Sequence, residues 1–308
     1  MVAGVPPVSR RSQPRFSSRA RRDELAGAFL AQGADYDRLR PGYPPAAVQL
    51  IVQAAWATRA ARAAGGGEPL QAVDLGAGTG QLTRALARAG CHVTAVDPSA
   101  SMLERIGEGA DDAVADVKHG PEREALAQAG AEAADAGVGS GRIQCVIGSA
   151  EATGLEEGCA DLVTAAQAWH WFDVEAASAE AQRLLRPGGV LALLWNTMDV
   201  QVPWVHRLAR IMHAGDVQRD GFTPPVGEGL HIVERHVLRW EDPMVTPDLI
   251  DLARTRSYVA TAKEQTRAKV LANLDWYLHE HLGHARGATV HLPYRTDLFL
   301  LRATPARV

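Results

Sequence analysis

Cysteine is scarce in this 308-residue chain: Cys91, Cys145 and Cys159 are too few and too scattered for a disulfide framework, and none forms a C-x-x-C pair. A reducing, cytoplasmic setting is the compartment this usage points to. No uninterrupted apolar run approaches the roughly eighteen residues that cross a bilayer, so no membrane partner is expected. An excess of one charge is also missing. The net charge of −4 provides no general field for drawing nucleic acid or anionic lipid to the surface, and a small neutral or acidic substrate suits it at least as well. Acidic residues are absent before Asp23, whereas residues 1–22 hold six arginines and several serines. Transit peptides share that composition. Pro6, Pro7 and Pro14 oppose a sustained helix, so 1–24 reads as a disordered basic tail, with targeting left open.

What is present is an alternation of short apolar runs and helical segments from Leu70 onward, the pattern of a parallel sheet covered on both faces. The expected strands are 70–75, 92–97, 143–147, 162–166 and 190–195. Val174, Ala177, Ala181, Leu184 and Leu185 share one helical face, and Pro187-Gly188-Gly189 is expected to stop that helix. The fold class is therefore α/β: a doubly wound, Rossmann-like, mostly parallel sheet, which binds ligands beyond the carboxyl ends of its strands. Residues 107–142, rich in Ala, Gly and charge, read as a surface insertion of loop and helix.

After Asn196 longer helices take over. Thr246-Pro247-Asp248 looks like a helix start with a capping hydroxyl. Val270, Leu271, Leu274, Leu278 and Leu282 form a helical stripe ending at Gly283. Thr289–Leu301 is expected to return as an edge or antiparallel strand. One domain is expected over 25–308, with its core at 70–196, a helical N-terminal lid, and a C-terminal cap with closing strands over 197–308.

Asp74 is followed by glycines at 76, 78 and 80 and then by helix-forming residues. Glycine lets the backbone turn tightly and approach a ligand, and the next helix presents free amide hydrogens. A dinucleotide fingerprint would place its third glycine at 81, where Gln81 stands, which weakens a nicotinamide reading. Twenty-one residues beyond Gly76, Asp97 closes the next strand, where a carboxylate accepts hydrogen bonds from ribose hydroxyls.

These residues resemble the class I S-adenosylmethionine-dependent methyltransferases. Val73–Gly80 is similar to that family's first motif, Ala95–Ser99 to its second, and Gly148-Ser149-Ala150-Glu151 to its adenine-contacting segment. Asp161 stands where the family carries an acid at the start of the fourth strand. Leu184–Val190 resembles the segment before the fifth. The likeness spans about 70–196, with 107–142 as the main departure. Outside it, Tyr36–Pro44 and Gln167-Ala168-Trp169-His170-Trp171-Phe172-Asp173 look like a small-molecule branch that includes the trans-aconitate and cantharidin methyltransferases, and Leu292–Thr296 is similar to bacterial members of that branch.

The resemblance implies S-adenosyl-L-methionine as cofactor, no metal, and a small-molecule methyl acceptor, with oxygen of a carboxylate or hydroxyl favoured. It implies that Asp74, Gly76, Ala77, Gly78 and Gly80 form the cofactor loop, that Asp97 holds the ribose, and that Met102, Ala150 and Glu151 flank the adenine. Gln167 would sit near the sulfonium, and Tyr36 and Arg40 would close over the site. Trp169, His170 and Arg256 are the candidate substrate contacts, with His170 the candidate catalytic group. Structural readings stand beside these. Tyr43-Pro44-Pro45 suits a helix start against the sheet, and a strand end through Trp169-His170-Trp171 would put both indoles on one side and the imidazole on the other. Base-amine methylation is disfavoured, because Ala166-Gln167-Ala168-Trp169 replaces the Asn/Asp-Pro-Pro pattern. A non-catalytic cofactor sensor and a nicotinamide oxidoreductase stay open as alternatives.

Overall fold

A computed structural model describes residues 38–61, 68–108, 141–214 and 221–304. The basic tail, Tyr36 and nearly all of the 107–142 insertion lie outside the described residues. The chain divides into two compact units: Gly42–Trp195 with Pro224–Leu238 and Thr296–Val308, and Met1–Pro41 with Asn196–Thr223 and Arg239–Arg295.

In the first unit, helix α1 (Pro45–Ala61) is followed by β1 (Gln71–Leu75), α2 (Gln81–Arg88), β2 (His92–Asp97), α3 (Ala100–Glu108), β3 (Ile143–Ile147) and β4 (Ala160–Ala166). A 3-10 turn over Trp169–Trp171 leads into α4 (Val174–Leu184) and β5 (Leu185–Met198). With β6 (Leu230–Val245) and β7 (Thr289–Ala303) the strands form one seven-stranded sheet in the order β3-β2-β1-β4-β5-β7-β6. The contacts β3-β2, β2-β1, β1-β4 and β4-β5 are all parallel. The order reverses at β1, where strand direction and crossovers leave a crevice at the carboxyl ends.

Burial explains why these segments are strands. Ala72, Val73 and Leu75 in β1, Leu162, Val163 and Ala165 in β4, and Val190–Trp195 in β5 are all at most 3% exposed. A strand covered on both faces is continuously apolar rather than alternating. Helix α1 packs Ala47, Val48, Ile51 and Ala55 against Leu70, Leu82 and Leu86, and each large side chain buried there contributes about 1.5–3 kcal/mol. Tyr43 packs on this cluster too, and Pro44 O accepts the Ala47 amide at 2.8 Å, which starts the helix. At the other end of the sheet, buried Asp161 accepts from the Gln71 amide at 3.1 Å and from Arg186 at 2.9 Å, and Arg59 lies 3.7 Å away. The acid at the head of β4 is thus paired and ties three strands together.

Two expectations are corrected here, the helix stop at Pro187-Gly188-Gly189 and an edge position for the last strand, while the antiparallel alternative for that strand is met. Helix α4 ends at Leu184, ahead of Pro187-Gly188-Gly189, and β5 starts at once. The Pro-Gly-Gly segment instead makes a register shift, with Ala160 pairing Leu185 but Leu162 pairing Val190. Strand β7 is interior, between β5 and β6, not an edge. Its pairing with β5 runs antiparallel: Asp199 N donates to Pro293 O at 2.9 Å and Thr197 Oγ1 to Arg295 O at 3.5 Å, so numbers rise on one strand as they fall on the other.

In the second unit, α5 (Pro203–Ile211), α6 (Thr246–Asp251), a 3-10 turn (Leu252–Thr255), α7 (Ser257–Ala260) and α8 (Glu264–Trp276), which runs on into a π-helical turn (Tyr277–His281), enclose their own core of Leu208, Leu249, Leu252, Leu274, Leu278 and Tyr294. Thr246 does start α6, but the residue preceding the helix is Val245, and the Thr246 hydroxyl accepts from Gly287 N at 2.9 Å instead of capping. Residues 224–238 and 296–308, read from sequence as cap, group with the first unit.

Candidate cofactor and methyl-transfer site

The loop after β1 is held from both sides. Gly76 N and Ala77 N both donate to Val96 O, at 2.8 and 3.1 Å, and Gly78 N donates to Asp97 Oδ2 at 2.9 Å. The three glycines have φ of +64°, +55° and +85°, a region that costs other residues about 1–2 kcal/mol. Their surroundings differ. A Cβ on Gly76 would stand 2.7 Å from Ala168 Cβ and 2.9 Å from Phe172 Cζ, and one on Gly80 2.7 Å from Ile106 Cγ1. A Cβ on Gly78 would meet nothing within 4 Å. Two glycines therefore serve packing, and the middle one faces open space.

Asp97 binds the loop with one oxygen and the Ser99 amide with the other, at 2.9 Å each. Burial raises its pKa above the usual carboxylate value, and these two amides pull it back. Asp74 is a different kind of acid. It is 2% exposed, with Oδ2 accepting from Thr83 Oγ1 and Oδ1 from Thr164 Oγ1, both at 2.7 Å. It cross-links β1, α2 and β4 beneath the loop. Burial pushes its pKa from the usual 3.8 up to about 6, against the two threonine hydrogen bonds.

That shift carries a sign. A carboxyl whose folded pKa is raised stabilises the fold fully below its unfolded pKa, and the contribution is lost as pH rises through the folded value. About two pKa units correspond to about 3 kcal/mol, lost between about pH 4 and pH 6. Asp74→Asn, which retains an acceptor and gains a donor for the two threonines, is expected to flatten the pH dependence of Tm over that window. A wild-type slope persisting in the variant would assign it to another group.

After β2, Ser99 O accepts the Met102 amide in the first turn of α3, and Met102 is half-buried. After β3, Ala150 is buried and Glu151 Oε1 accepts from Asp173 N at 2.9 Å, which joins the segment after β3 to the start of α4. The next turn is fixed by Glu180. Its carboxylate takes Thr153 N at 2.9 Å, Thr153 Oγ1 at 2.5 Å and Arg183 at 2.7 Å, and the Arg183 hydrogen bond leads in holding its pKa down at about 2.

Gln167 follows β4 with φ +56°, in the left-handed region, and its amide donates to Leu194 O at 2.9 Å. Such strain persists only where surroundings enforce it, and it clusters at functional sites. The next residues form a 3-10 turn rather than a strand end, so the alternation that would pair the two indoles does not apply. Trp169 is 1% exposed and donates to Pro225 O at 2.9 Å. It has no surface to offer a substrate, which corrects its assignment as a substrate contact. His170 and Trp171 are half-buried, and His170 Nδ1 accepts from Trp195 Nε1 at 3.4 Å. Phe172 sits edge-on to Trp169 and against Gly76. Sequence reasoning singled out the Gln167–Asp173 segment but not Ala168 and Phe172, which bring it against the glycine loop; the small residue and the glycine opposite it were the available signal. Arg40 and Arg256 belong to the second unit. There Arg40 donates to Thr255 O at 2.9 Å and Arg256 is buried. Among the described residues no group of three or more His, Cys, Asp and Glu could hold a metal ion, and no helix is long and apolar enough to cross a membrane.

A family model described as a methyltransferase domain matches residues 73–191, from the glycine loop to β5. An uncharacterised methyltransferase of Mycobacterium tuberculosis is 37% identical over 288 residues, 93% of this chain and 99% of that protein. The chain belongs to the methyltransferase family. A methyltransferase-like protein of Schizosaccharomyces pombe is 27% identical over 91% of this chain and 96% of its own length. The fold is shared with a putative type II methyltransferase from Anaeromyxobacter dehalogenans, at a TM-score of 0.58 and 23% identity, over 85% of this chain and 97% of that one. The methyltransferase described here is S-adenosylmethionine-dependent and has the class I fold.

Proposed function

We propose that this methyltransferase transfers the methyl group to a carboxylate oxygen of a small organic acid, in keeping with its likeness to the trans-aconitate branch. The carrying observation is the state of His170. Trp195 Nε1 can only donate, so His170 Nδ1 accepts, and the neutral ring carries its proton on Nε2. In that tautomer Nε2 donates. It suits an anionic oxygen that needs orientation, not a hydroxyl that needs a base, and a carboxylate is already ionised near neutral pH.

The remaining residues fit the cofactor. The open side of Gly78 admits a ligand to the loop backbone of Gly76, Ala77 and Gly80. Each Asp97 oxygen keeps a second lone pair for a ribose hydroxyl. In this reading Met102 packs on the adenine, Ala150 and Glu151 flank its edge, and the strained Gln167 lines the reacting end. Bound there, S-adenosylmethionine supplies a methyl group on a cationic sulfur and a neutral leaving group. The protein's work is to align the acceptor oxygen and exclude water.

Incubation with methyl-labelled cofactor and pooled organic acids is expected to yield label that mild alkali releases as methanol, the mark of an ester. Alkali-stable label would overturn the carboxylate assignment. His170→Ala should lower kcat by about 10- to 100-fold, the worth of one charge-assisted hydrogen bond, with cofactor affinity unchanged. His170→Gln places an amide donor near the Nε2 position and should recover most of the loss, which it could not do for a base.

A further inference from the structure

The second unit carries a cationic groove lined by none of the residues assigned above to cofactor or acceptor. Its volume is about 470 Å³ and its walls include His206, Arg207, Arg210 and Ile211 of α5. Arg207 is held in place without an acid. Its guanidinium lies 5.2 Å from the Tyr277 ring centroid, and Nη1 is 3.3 Å from His281 Nε2. Guanidinium nitrogens only donate, so His281 is the acceptor through Nε2. That imidazole is itself fixed between two rings, stacked on Trp276 at 5.6 Å and on Tyr277 at 5.3 Å. Tyr277 and His281, four residues apart, lie on one face of a π-helical turn, and such turns are frequent at functional sites.

No carboxylate lies within ion-pairing distance of Arg207 or Arg210 among the described residues. Arg254, Arg267 and Arg286 of the same unit each have one, Asp251, Glu264 and Asp275. A surface arginine without an acid is ordinary, but one braced by an aromatic face and an imidazole acceptor has already lost the rotamer freedom that binding would otherwise cost. Its remaining donors form a fork matched to two oxygens of one anion, and Arg210, one helical turn along α5, supplies a second cation on the same wall.

We infer that this groove binds a small polyanion through Arg207 and Arg210, with the braced Arg207 making the paired contact. Phosphate and carboxylate oxygens share the required chemistry, so the two sources are separated by the test. The full chain is titrated calorimetrically with pyrophosphate and, separately, with citrate. Binding of either at millimolar concentration, weakened about ten-fold or more by Arg210→Gln and by Arg207→Gln, supports the site; which anion binds names the source. His281→Phe, which keeps the ring stack but removes the acceptor, should weaken binding by a smaller factor. Melting temperature and affinity for the demethylated cofactor product are read on each variant and should not change, which keeps this outcome distinct from failure of the carboxylate proposal. Absence of binding by both anions, or equal affinity in wild type and Arg210→Gln, overturns the inference.

Discussion

Asp97→Ala is expected to weaken binding of S-adenosylmethionine, and of its demethylated product, by about 100-fold or more. The carboxylate offers two oxygens to the ribose, and charge-assisted hydrogen bonds of this kind are worth about 1.5–3 kcal/mol each. Loss of both therefore removes at least about 3 kcal/mol, or two powers of ten in Kd. The substitution also releases the Gly78 and Ser99 amides that the same carboxylate holds at 2.9 Å, so the loop loses its brace as well as the ligand its acceptor. Asp97→Asn separates the two effects, because an amide oxygen still accepts one bond; its affinity should fall between those of the wild type and Asp97→Ala. Burial has raised the Asp97 pKa, so affinity should also fail at a less acidic pH than for an ordinary carboxylate as the pH is lowered. Calorimetry with the demethylated product measures all three, and wild-type affinity in Asp97→Ala would sink the ribose role.

How much of this was legible in the sequence depended on whether local chemistry or tertiary packing decided the outcome. Strands β2 and β3 have the expected bounds, because short apolar runs between turn signals leave few alternatives. Strand β5 is longer than expected at both ends, since Leu185–Gly189 pairs irregularly with β4 and the chain continues to Met198. The available signal was glycine itself, which often marks a bulge, and Gly188 has φ +73° there. Thr246 was placed correctly at a helix start, yet its hydroxyl is taken by Gly287, forty-one residues away, a partner that only the folded chain supplies. The same holds for Asp74. Read as part of the cofactor loop, it commits both oxygens to Thr83 and Thr164 on two other elements. In Trp169-His170-Trp171 the period-2 argument failed because a 3-10 turn, not a strand, follows Gln167. The segment still lies against the glycine loop, through Ala168 and Phe172 and not through the indoles.

The glycine loop provides the sharpest separation of folding from binding. Gly76→Ala and Gly78→Ala introduce the same methyl group two residues apart, and both place alanine at positive φ, at a cost of about 1–2 kcal/mol. At Gly76 the new Cβ also overlaps Ala168 Cβ at 2.7 Å and Phe172 Cζ at 2.9 Å. Neither neighbour can step aside freely, because Phe172 is packed edge-on against buried Trp169 and Ala168 lies between the strained Gln167 and the 3-10 turn. Overpacking of this kind adds about 1–3 kcal/mol, for a total of about 2–5 kcal/mol. At roughly 2–4 °C per kcal/mol, Tm should fall by about 4 °C at the least and by more if the turn cannot relax. At Gly78 the methyl enters open space, so Tm should drop by only a few degrees, but that space is where the proposed ligand approaches the backbone. Cofactor affinity should then fall by about ten-fold or more while the fold persists, as for loss of one good hydrogen bond and close contact. Thermal melts and calorimetry on the two variants give opposite patterns if the middle glycine serves the ligand and the first serves packing. Equal loss of affinity with equal loss of Tm in both would place the cofactor elsewhere than on the open side of Gly78.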